Sequence, residues 1–188
     1  MSTDSEEIAK VAQELGATVP FMRPSELADD YTGTSAVVKH ATEWYLENIG
    51  PIEYVLTVYP TAVFLSEKDL IDAFNILKSS SCQTVFAGAK YPFPIQRAIY
   101  LDEQQRVAMF QPEHFFTRSQ DLVEAYHDAG QFYFSKLSAV QNNISTFSNA
   151  SQIIVLPRYR VVDIDTFEDF ELAQRLFINQ SKIDDKKF

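Results

Sequence analysis

The sequence of 188 residues has one cysteine, Cys82, and only five glycines. One cysteine allows neither an internal disulfide nor a cysteine-rich zinc cluster, so a reducing cytoplasm is the expected compartment. No apolar run approaches the length that crosses a membrane, and the polar, acidic start at residues 1–7 is unlike a secretory signal. The sequence patterns of serine hydrolases, zincins and P-loop enzymes are also missing.

Positive charge is scarce, with 16 Lys and Arg against 26 Asp and Glu and a net charge of −10. We therefore expect no nucleic-acid partner and no anionic membrane partner, because both would repel the chain. Plain solubility is the simplest role of this charge, although an acidic enzyme can still bind phosphates through Mg²⁺ and a few basic groups. An apolar fraction of 46% predicts one compact α/β domain over residues 1–188.

Hydrophobic periodicity predicts an alternation of helices and strands. Four helices are expected. The first ends at Gly16 and has Ile8, Val11, Ala12 and Leu15 on its buried face. The second covers 35–47, the third is capped by Ser66, and the fourth is capped by Thr166. The expected strands cover 54–59, 84–87, 153–156 and 161–164. This rhythm is typical of a mostly parallel sheet with crossover helices. Residues of about 90–150 interrupt it with prolines, aromatics and a polar stretch, which predicts an excursion off the sheet for binding or subunit contacts.

The sharpest local pattern is the run from Val161 to Thr166. In a strand, Asp163 and Asp165 face the same way while Ile164 points into a core, at the sheet edge where open α/β folds bind ligands. Two such carboxylates suit Mg²⁺ together with substrate phosphates. The alternative is that one Asp assists the helix N-terminus and the other is simply solvated.

Polar side chains after the first helix indicate a second candidate region. Pro24 holds Arg23 on an extended turn, where its guanidinium could meet a phosphate or a base edge. Thr32 and Thr34 precede the second helix, and hydroxyls at a helix start suit an anionic ligand or a nucleotide. Thr34 could equally be a simple N-cap.

The excursion carries three polar clusters with side chains that bind carboxylates and hydroxyls. They contain Gln96 and Arg97, then Arg118 and Gln120, then His127, Asp128 and Gln131. Each cluster could instead be a salt-bridged loop or a dimer contact. His127 has the chemistry of a general base, but a histidine beside an aspartate is more often structural.

Taken in order, several of these segments resemble the CMP-N-acylneuraminate synthetases. They are Ser2-Thr3-Asp4, Arg23-Pro24-Ser25-Glu26-Leu27-Ala28, Tyr59-Pro60-Thr61-Ala62 and Asp163-Ile164-Asp165-Thr166. Other stretches are similar to the pseudaminic acid branch, namely Pro92-Phe93-Pro94-Ile95-Gln96-Arg97, Pro112-Glu113-His114, Thr117-Arg118-Ser119-Gln120-Asp121 and residues 126–133. The resemblance implies a Rossmann-like three-layer α/β/α fold of the nucleotide-diphospho-sugar transferase type. It also implies a homodimer that uses Mg²⁺, joins CTP to a nine-carbon ulosonic acid such as pseudaminic acid, and releases pyrophosphate.

The resemblance also assigns roles to residues. Asp163 and Asp165 match the metal-binding pair, and Arg23, Thr32 and Thr34 fall where the family contacts cytidine. Arg118, His127 and Gln131 lie in the region that meets the sugar acid, and we expect Gln96, Arg97, Gln120 and Asp128 to share that role. Tyr59 replaces the family's usual Gln, so a direct contact there is in question.

The pattern departs from the family at the front. The resemblance implies a strand, a basic triphosphate-binding loop and a second strand before Ser2-Thr3-Asp4, whereas Met1 stands directly before it. We therefore expect a shortened sheet and little turnover by this chain. The alternative from another class is a non-catalytic remnant or a binding subunit that holds sugar acid or a partner protein without transferring CMP.

Overall fold

The computed structural model describes residues 1–184, and residues 185–188 of the predicted domain lie outside the described residues. The α-helices are α1 (Glu6–Glu14), α2 (Thr34–Asn48), α3 (Glu67–Ser79), α4 (Leu137–Gln141) and α5 (Phe167–Asp184). The strands are β1 (Tyr54–Val58), β2 (Thr84–Lys90), β3 (Ile99–Leu101), β4 (Val107–Met109), β5 (Tyr126–Lys136) and β6 (Ser151–Val155). Short 3₁₀ turns lie at Ser25–Leu27, Ile95–Arg97, Pro112–His114, Ser119–Asp121 and Arg158–Arg160.

The main sheet has four strands in the order β1-β5-β2-β6. β2 and β6 pair in parallel, whereas β5 runs antiparallel to both of its neighbours, β1 and β2. β1, β2 and β6 therefore point the same way, as the predicted rhythm requires, and β5 makes the sheet mixed.

The predicted excursion off the sheet is too long. Residues 91–125 do leave the main sheet and carry the separate hairpin of β3 and β4. β5 then returns as an interior strand, so the prediction was wrong for residues 126–136. The prolines and polar runs on either side of β5 made this whole region look irregular. The alternation of Phe132, Tyr133, Phe134 and Ser135, which pair with β1 and β2, was therefore not recognised as a strand.

The hydrophobic core lies between the sheet and α3. Ala73 and Leu77 of α3 pack with Val85 of β2 and Phe132 of β5, all of them essentially inaccessible to solvent. α3 begins where predicted, because the Ser66 hydroxyl caps the helix by accepting from the Asp69 amide at 3.3 Å. Alternate strand positions face the other way, toward α2 and α4, and these helices complete three layers.

The two terminal helices are covered less well than predicted. Ala12 of α1 is buried as expected, together with Ala9, but Ile8 and Val11 are half exposed and Leu15 is 84% exposed. The predicted inner face of α1 was therefore wrong for these three large side chains, since the described residues cover about half of Ile8 and Val11 and little of Leu15.

The run from Val161 to Ile164 is not a strand. After the 3₁₀ turn at Arg158–Arg160 the chain continues without regular structure until α5 begins at Phe167. Val161 is extended, and Ile164 is more buried than the exposed Asp163 and Asp165 on either side. The predicted alternation of side chains is thus present without the ladder of hydrogen bonds that defines a strand.

Candidate functional site

A groove with a volume of about 710 Å³ runs along β1. One wall is β1 with the following Tyr59 and Pro60, and α2 contributes Val37, Val38, Ala41, Thr42 and Tyr45. Arg23, Thr32 and Thr34 all line this groove, so the structure brings the three predicted nucleotide residues together.

Arg23 is held against the N-terminal segment. Its Nε donates to the Ser2 hydroxyl at 3.2 Å and its Nη2 donates to the Ser2 carbonyl at 2.7 Å. Its own amide donates to the Thr3 carbonyl at 2.8 Å, so Arg23 is fixed by both backbone and side chain. Nη1 is free of these bonds and can still meet an anion.

Thr32 and Thr34 are presented by a tight loop. The Thr32 amide donates to the Asp29 carboxylate at 2.6 Å, and hydrogen bonds from Thr32 and Tyr31 hold the pKa of Asp29 below its ordinary value. Thr34 opens α2, but the N-cap is Gly33, and no side chain caps this helix. The alternative reading of Thr34 as the N-cap was therefore wrong.

A chain of hydroxyl groups links the groove to the acidic region. The hydroxyls of Thr34 and Tyr59 lie 3.0 Å apart, and the Tyr59 and Tyr133 rings have their centroids 5.3 Å apart. The Tyr133 hydroxyl donates a hydrogen bond to the Asp128 carboxylate. Burial, followed by this bond to Asp128, raises the pKa of the Tyr133 hydroxyl, so Tyr133 stays a neutral donor at all ordinary pH values.

Asp163 lies beside the bend of β5. Gly130 has a φ of +60°, and a Cβ at this position would come within 3.2 Å of Asp163 Oδ1. Glycine is thus required both by the left-handed backbone and by the close approach of the carboxylate. Residues 129–132 lie opposite the single residue Ala87 of β2, and this bulge is what carries β5 toward Asp163.

The surroundings of Asp163 are electronegative. Desolvation raises the pKa of Asp163, the charges of Asp165, Asp128 and Asp169 raise it further, and His127 opposes the shift. Asp169 instead accepts from the amide and hydroxyl of Thr166 at the start of α5, and these bonds lower the pKa of Asp169. The capping role is therefore taken by Thr166 and Asp169, which leaves Asp163 and Asp165 available.

The acidic pair has the chemistry of a divalent cation site that is completed by substrate. Asp163 and Asp165 are exposed, and their mutual repulsion would be relieved by a cation. No three His, Cys, Asp or Glu side chains of residues 1–184 converge in a metal-binding arrangement. Mg²⁺ commonly takes one or two carboxylates and completes its shell with water and phosphate oxygens, so the residues present fit this ion.

Two of the four remaining candidates in the excursion bind partners within their own segment, and the other two are exposed. Arg118 forms a fork with Asp121, its Nε donating at 2.7 Å, and Gln96 donates to the Val123 carbonyl at 3.0 Å. Arg97 and Gln120 are exposed. Among residues 1–184, no hydrogen bond or ion pair joins these four side chains to the Asp163 region.

His127 and Gln131 lie nearer the acidic pair but differ in accessibility. His127 is half-buried, with Nδ1 2.8 Å from the Asp128 carbonyl and its ring edge-on to Tyr91. Gln131 is only 2% exposed and donates to the Arg160 carbonyl at 2.5 Å. Gln131 thus has a structural partner, whereas His127 can present Nε2 to a ligand.

Three residues near the site were not singled out by sequence reasoning. Tyr133 was not recognised within β5, although its alternation with Ser135 places it on the sheet face that lines a second cavity of about 310 Å³, which shares Thr34 and Tyr59 with the groove. Asp69 and Arg160 form a buried ion pair between α3 and the segment before Asp163, and they are 91 positions apart in sequence. No local pattern signals such a pair.

The family model described as cytidylyltransferase matches residues 1–184. The chain is 41% identical over 177 residues to the pseudaminic acid cytidylyltransferase of Campylobacter jejuni serotype O:2, covering 94% of this chain and 76% of that protein. It is 26% identical to the CMP-N,N'-diacetyllegionaminic acid synthase of Legionella pneumophila, covering 97% of this chain and 79% of the relative.

A solved structure supports the same fold. The structure of CMP:2-keto-3-deoxy-manno-octonic acid synthetase complexed with CTP matches with a TM-score of 0.60 and 10% identity, over 95% of this chain and 80% of that one. The three-layer α/β/α architecture predicted from the sequence is thereby confirmed. With the family model matching nearly the whole chain and a relative 41% identical, this chain belongs to the cytidylyltransferase family.

Proposed function

We propose that this protein transfers CMP from CTP to pseudaminic acid or a closely related nine-carbon ulosonic acid, with release of pyrophosphate. The observation that carries the proposal is the link between two sites. Thr34 lies in the groove with Arg23 and Thr32, and hydroxyls connect it through Tyr59 and Tyr133 to Asp128, next to Asp163. The sugar assignment is supported by the 41% identical relative.

The reaction needs two negatively charged reactants to be held in line. An oxygen of the sugar acid bonds to the α-phosphorus while the bond from that phosphorus to the departing pyrophosphate breaks. Arg23, Thr32 and Thr34 would bind and orient the nucleotide in the groove. Asp163 and Asp165 would hold Mg²⁺, which when bound neutralises charge on the phosphates.

The sugar acid requires hydrogen-bonding partners for its carboxylate and hydroxyls. The exposed side chains of Arg97 and Gln120 supply donors, and Arg118 would do so by exchanging Asp121 for the sugar carboxylate. His127 Nε2 would accept from a sugar hydroxyl, because Nδ1 donates to the Asp128 carbonyl. Asp128 is a poor direct ligand for an acidic sugar, because it already accepts from Tyr133 and from the Gly130 amide at 3.0 Å. Gln96 and Gln131 would act by ordering their segments rather than by touching the sugar acid.

A homodimer formed by the excursion is part of the proposal. Large apolar side chains are exposed there, with Phe116 91% exposed, and others are Phe93, Phe110, Val107 and Val123. Exposed apolar side chains of this size favour burial against a second copy. Sedimentation of the protein at increasing concentration tests this, and a monomer at every concentration would contradict it.

We place the reaction in the cytoplasm. The buried, unpaired Cys82 is compatible with a reducing compartment. No described helix is long and apolar enough to span a bilayer.

The decisive experiment is a pyrophosphate-release assay with CTP, Mg²⁺ and pseudaminic acid. The D163N and D165N variants should lose at least about 100-fold in rate, because each removes one charged ligand. The matched control is D102N, which removes a partly buried carboxylate that pairs with Arg106 in the β3–β4 turn, in a different segment from the acidic pair. Release with legionaminic or sialic acid but not pseudaminic acid would overturn the sugar assignment, and equal rates for D163N and D102N would overturn the site.

One observation favours the second candidate, a binding subunit without turnover. Of the groove-lining residues within the described chain, Arg23 alone carries a positive charge, and a triphosphate ordinarily meets several such contacts. Calorimetry with CTP and with sugar acid separately distinguishes the two. Heat from the sugar acid but none from CTP would support the binding role and contradict the transferase.

A further inference from the structure

The acidic pair is carried by a segment that has no regular secondary structure of its own. Between the turn at Arg158–Arg160 and the start of α5, residues 161–166 have no regular backbone hydrogen bonding. The far end of this segment is tied to α5, because the amides of Asp165 and Thr166 donate to the Asp169 carboxylate. The position of Asp163 relative to the groove then depends on how the Arg160 end of the segment is held.

The side chain of Arg160 ties this segment to α3. Its Nη2 donates to one carboxylate oxygen of Asp69 and also to the Phe64 carbonyl at 2.9 Å, while Nη1 lies 3.5 Å from the other oxygen of Asp69. The Arg160 and Asp69 side chains are only 13% and 10% exposed. A fork of this kind specifies both distance and orientation.

The backbone of Arg160 is held from the opposite direction. Its main-chain carbonyl accepts from the side-chain amide of the buried Gln131 at 2.5 Å. The main-chain carbonyl of Gln131 accepts from the main-chain amide of Tyr59 at 2.9 Å, which fixes Gln131 next to β1. Arg160 is thus anchored to α3 by its side chain and to β5 by its main chain. Asp163 follows three residues later, within roughly 10 Å of this fixed point, since an extended residue spans at most about 3.6 Å.

We propose that Asp69, Arg160 and Gln131 are positioning residues that hold the Asp163–Asp165 segment in register with the nucleotide groove. This inference rests on the proposed function, because it concerns the position of the two carboxylates, Asp163 and Asp165, that would bind the cation. The pair at Lys68 and Asp72 makes the contrast clear: it is on the same helix, yet its side chains are 81% and 45% exposed. It reaches no other element, so it can position nothing.

The test compares D69N/R160M with wild type. Replacing both partners leaves no unpaired buried charge, which keeps the variant folded where R160M alone could fail. We expect Mn²⁺ affinity, measured by electron paramagnetic resonance in the presence of CTP, to weaken about 10- to 100-fold, as for other residues that orient metal ligands. Turnover should fall with it and recover in part at high Mg²⁺. The Q131L variant should show a smaller loss of the same kind, and the matched control K68M/D72N should bind like wild type.

The outcomes separate this inference from the proposed function. The D69N/R160M variant could melt at a lower temperature than wild type and yet, while folded, bind Mn²⁺ with the same affinity. That result would show a loss of stability alone, and it would contradict the positioning role of Asp69 and Arg160. If D163N itself binds Mn²⁺ as tightly as wild type, the cation site fails, and the proposed function fails with it. Loss of Mn²⁺ binding in both D163N and D69N/R160M, with K68M/D72N unchanged, supports both.

Discussion

The two faces of the main sheet differ in chemistry although the same strands build both. The α3 face is apolar and closed, with Leu77, Val85 and Phe132 shielded from solvent. The opposite face carries hydroxyls, among them Thr57, Tyr59, Thr84, Tyr133 and Ser135, and borders the open groove along β1.

The difference shows how the fold separates stability from function. Because strand side chains alternate, each strand contributes to the core and to the polar face at once. The core face can be dense without reference to the ligand, and the polar face can be organised for binding. Mutations on the two faces should therefore have effects of different kinds.

The largest effect is expected on the closed face. L77A should lower the free energy of unfolding by about 2–5 kcal/mol, because it leaves a cavity in a fully buried site. Urea denaturation measures this, with I71A as the control, since Ile71 lies on the same helix and is half exposed. Similar losses for both variants would show that the α3 face is not the stabilising one.

A smaller effect, of a different kind, is expected on the polar face. Y133F should lower kcat/KM about tenfold, because one oxygen of Asp128 loses the donor that orients it. The circular dichroism spectrum of Y133F should match that of wild type, which would show that the fold is unchanged. Y126F is the matched control: its hydroxyl donates to Glu124 at 3.1 Å near the exposed end of the same strand. Equal kinetics for the two variants would contradict the role of the hydroxyl chain.

The stability of the acidic region should depend on pH in a direction set by Asp163. Its pKa is raised in the folded protein above the ordinary 3.8, so its negative charge opposes folding at neutral pH. D163N should therefore melt slightly above wild type at neutral pH while losing activity. The gain should shrink as the pH falls through the raised pKa and vanish below 3.8, where folded and unfolded Asp163 are both protonated. Thermal melts across this range measure it, and a lower melting temperature for D163N at neutral pH would contradict the electrostatic account.

The smallest effect is expected at the edge of the molecule. L15A should change the unfolding free energy by less than about 0.5 kcal/mol, because Leu15 is 84% exposed. A loss above 1 kcal/mol in the same denaturation experiment would mean that α1 is covered in solution, and the contrast with the closed α3 face would then weaken.

Much of this fold could be predicted because its signals are local. Ser66 and Thr166 indicated where α3 and α5 begin, because each hydroxyl accepts a hydrogen bond from the amide three residues later. Gly16 marked the end of α1 with a φ of +90°. The alternation of side chains predicted around Asp163 and Asp165 is present although residues 161–164 form no strand, whereas the role that the family motifs give this pair stays a prediction.

The contacts that escaped prediction join distant positions. β5 could not be recognised as an interior strand, because its pairing with β1 and β2 depends on residues far away along the chain. Periodicity also indicated which side of α1 is apolar, but not whether anything covers it.

The sequence by itself determined the starts of α3 and α5 and the alternation of side chains around Asp163 and Asp165, since propensity and capping act between near neighbours. Only the tertiary structure decided that β5 bends at Gly130 to meet Asp163, and that Asp69 reaches Arg160. The physical reason is that such contacts arise from packing of whole elements, so the free energy that selects them is absent from any short stretch of chain.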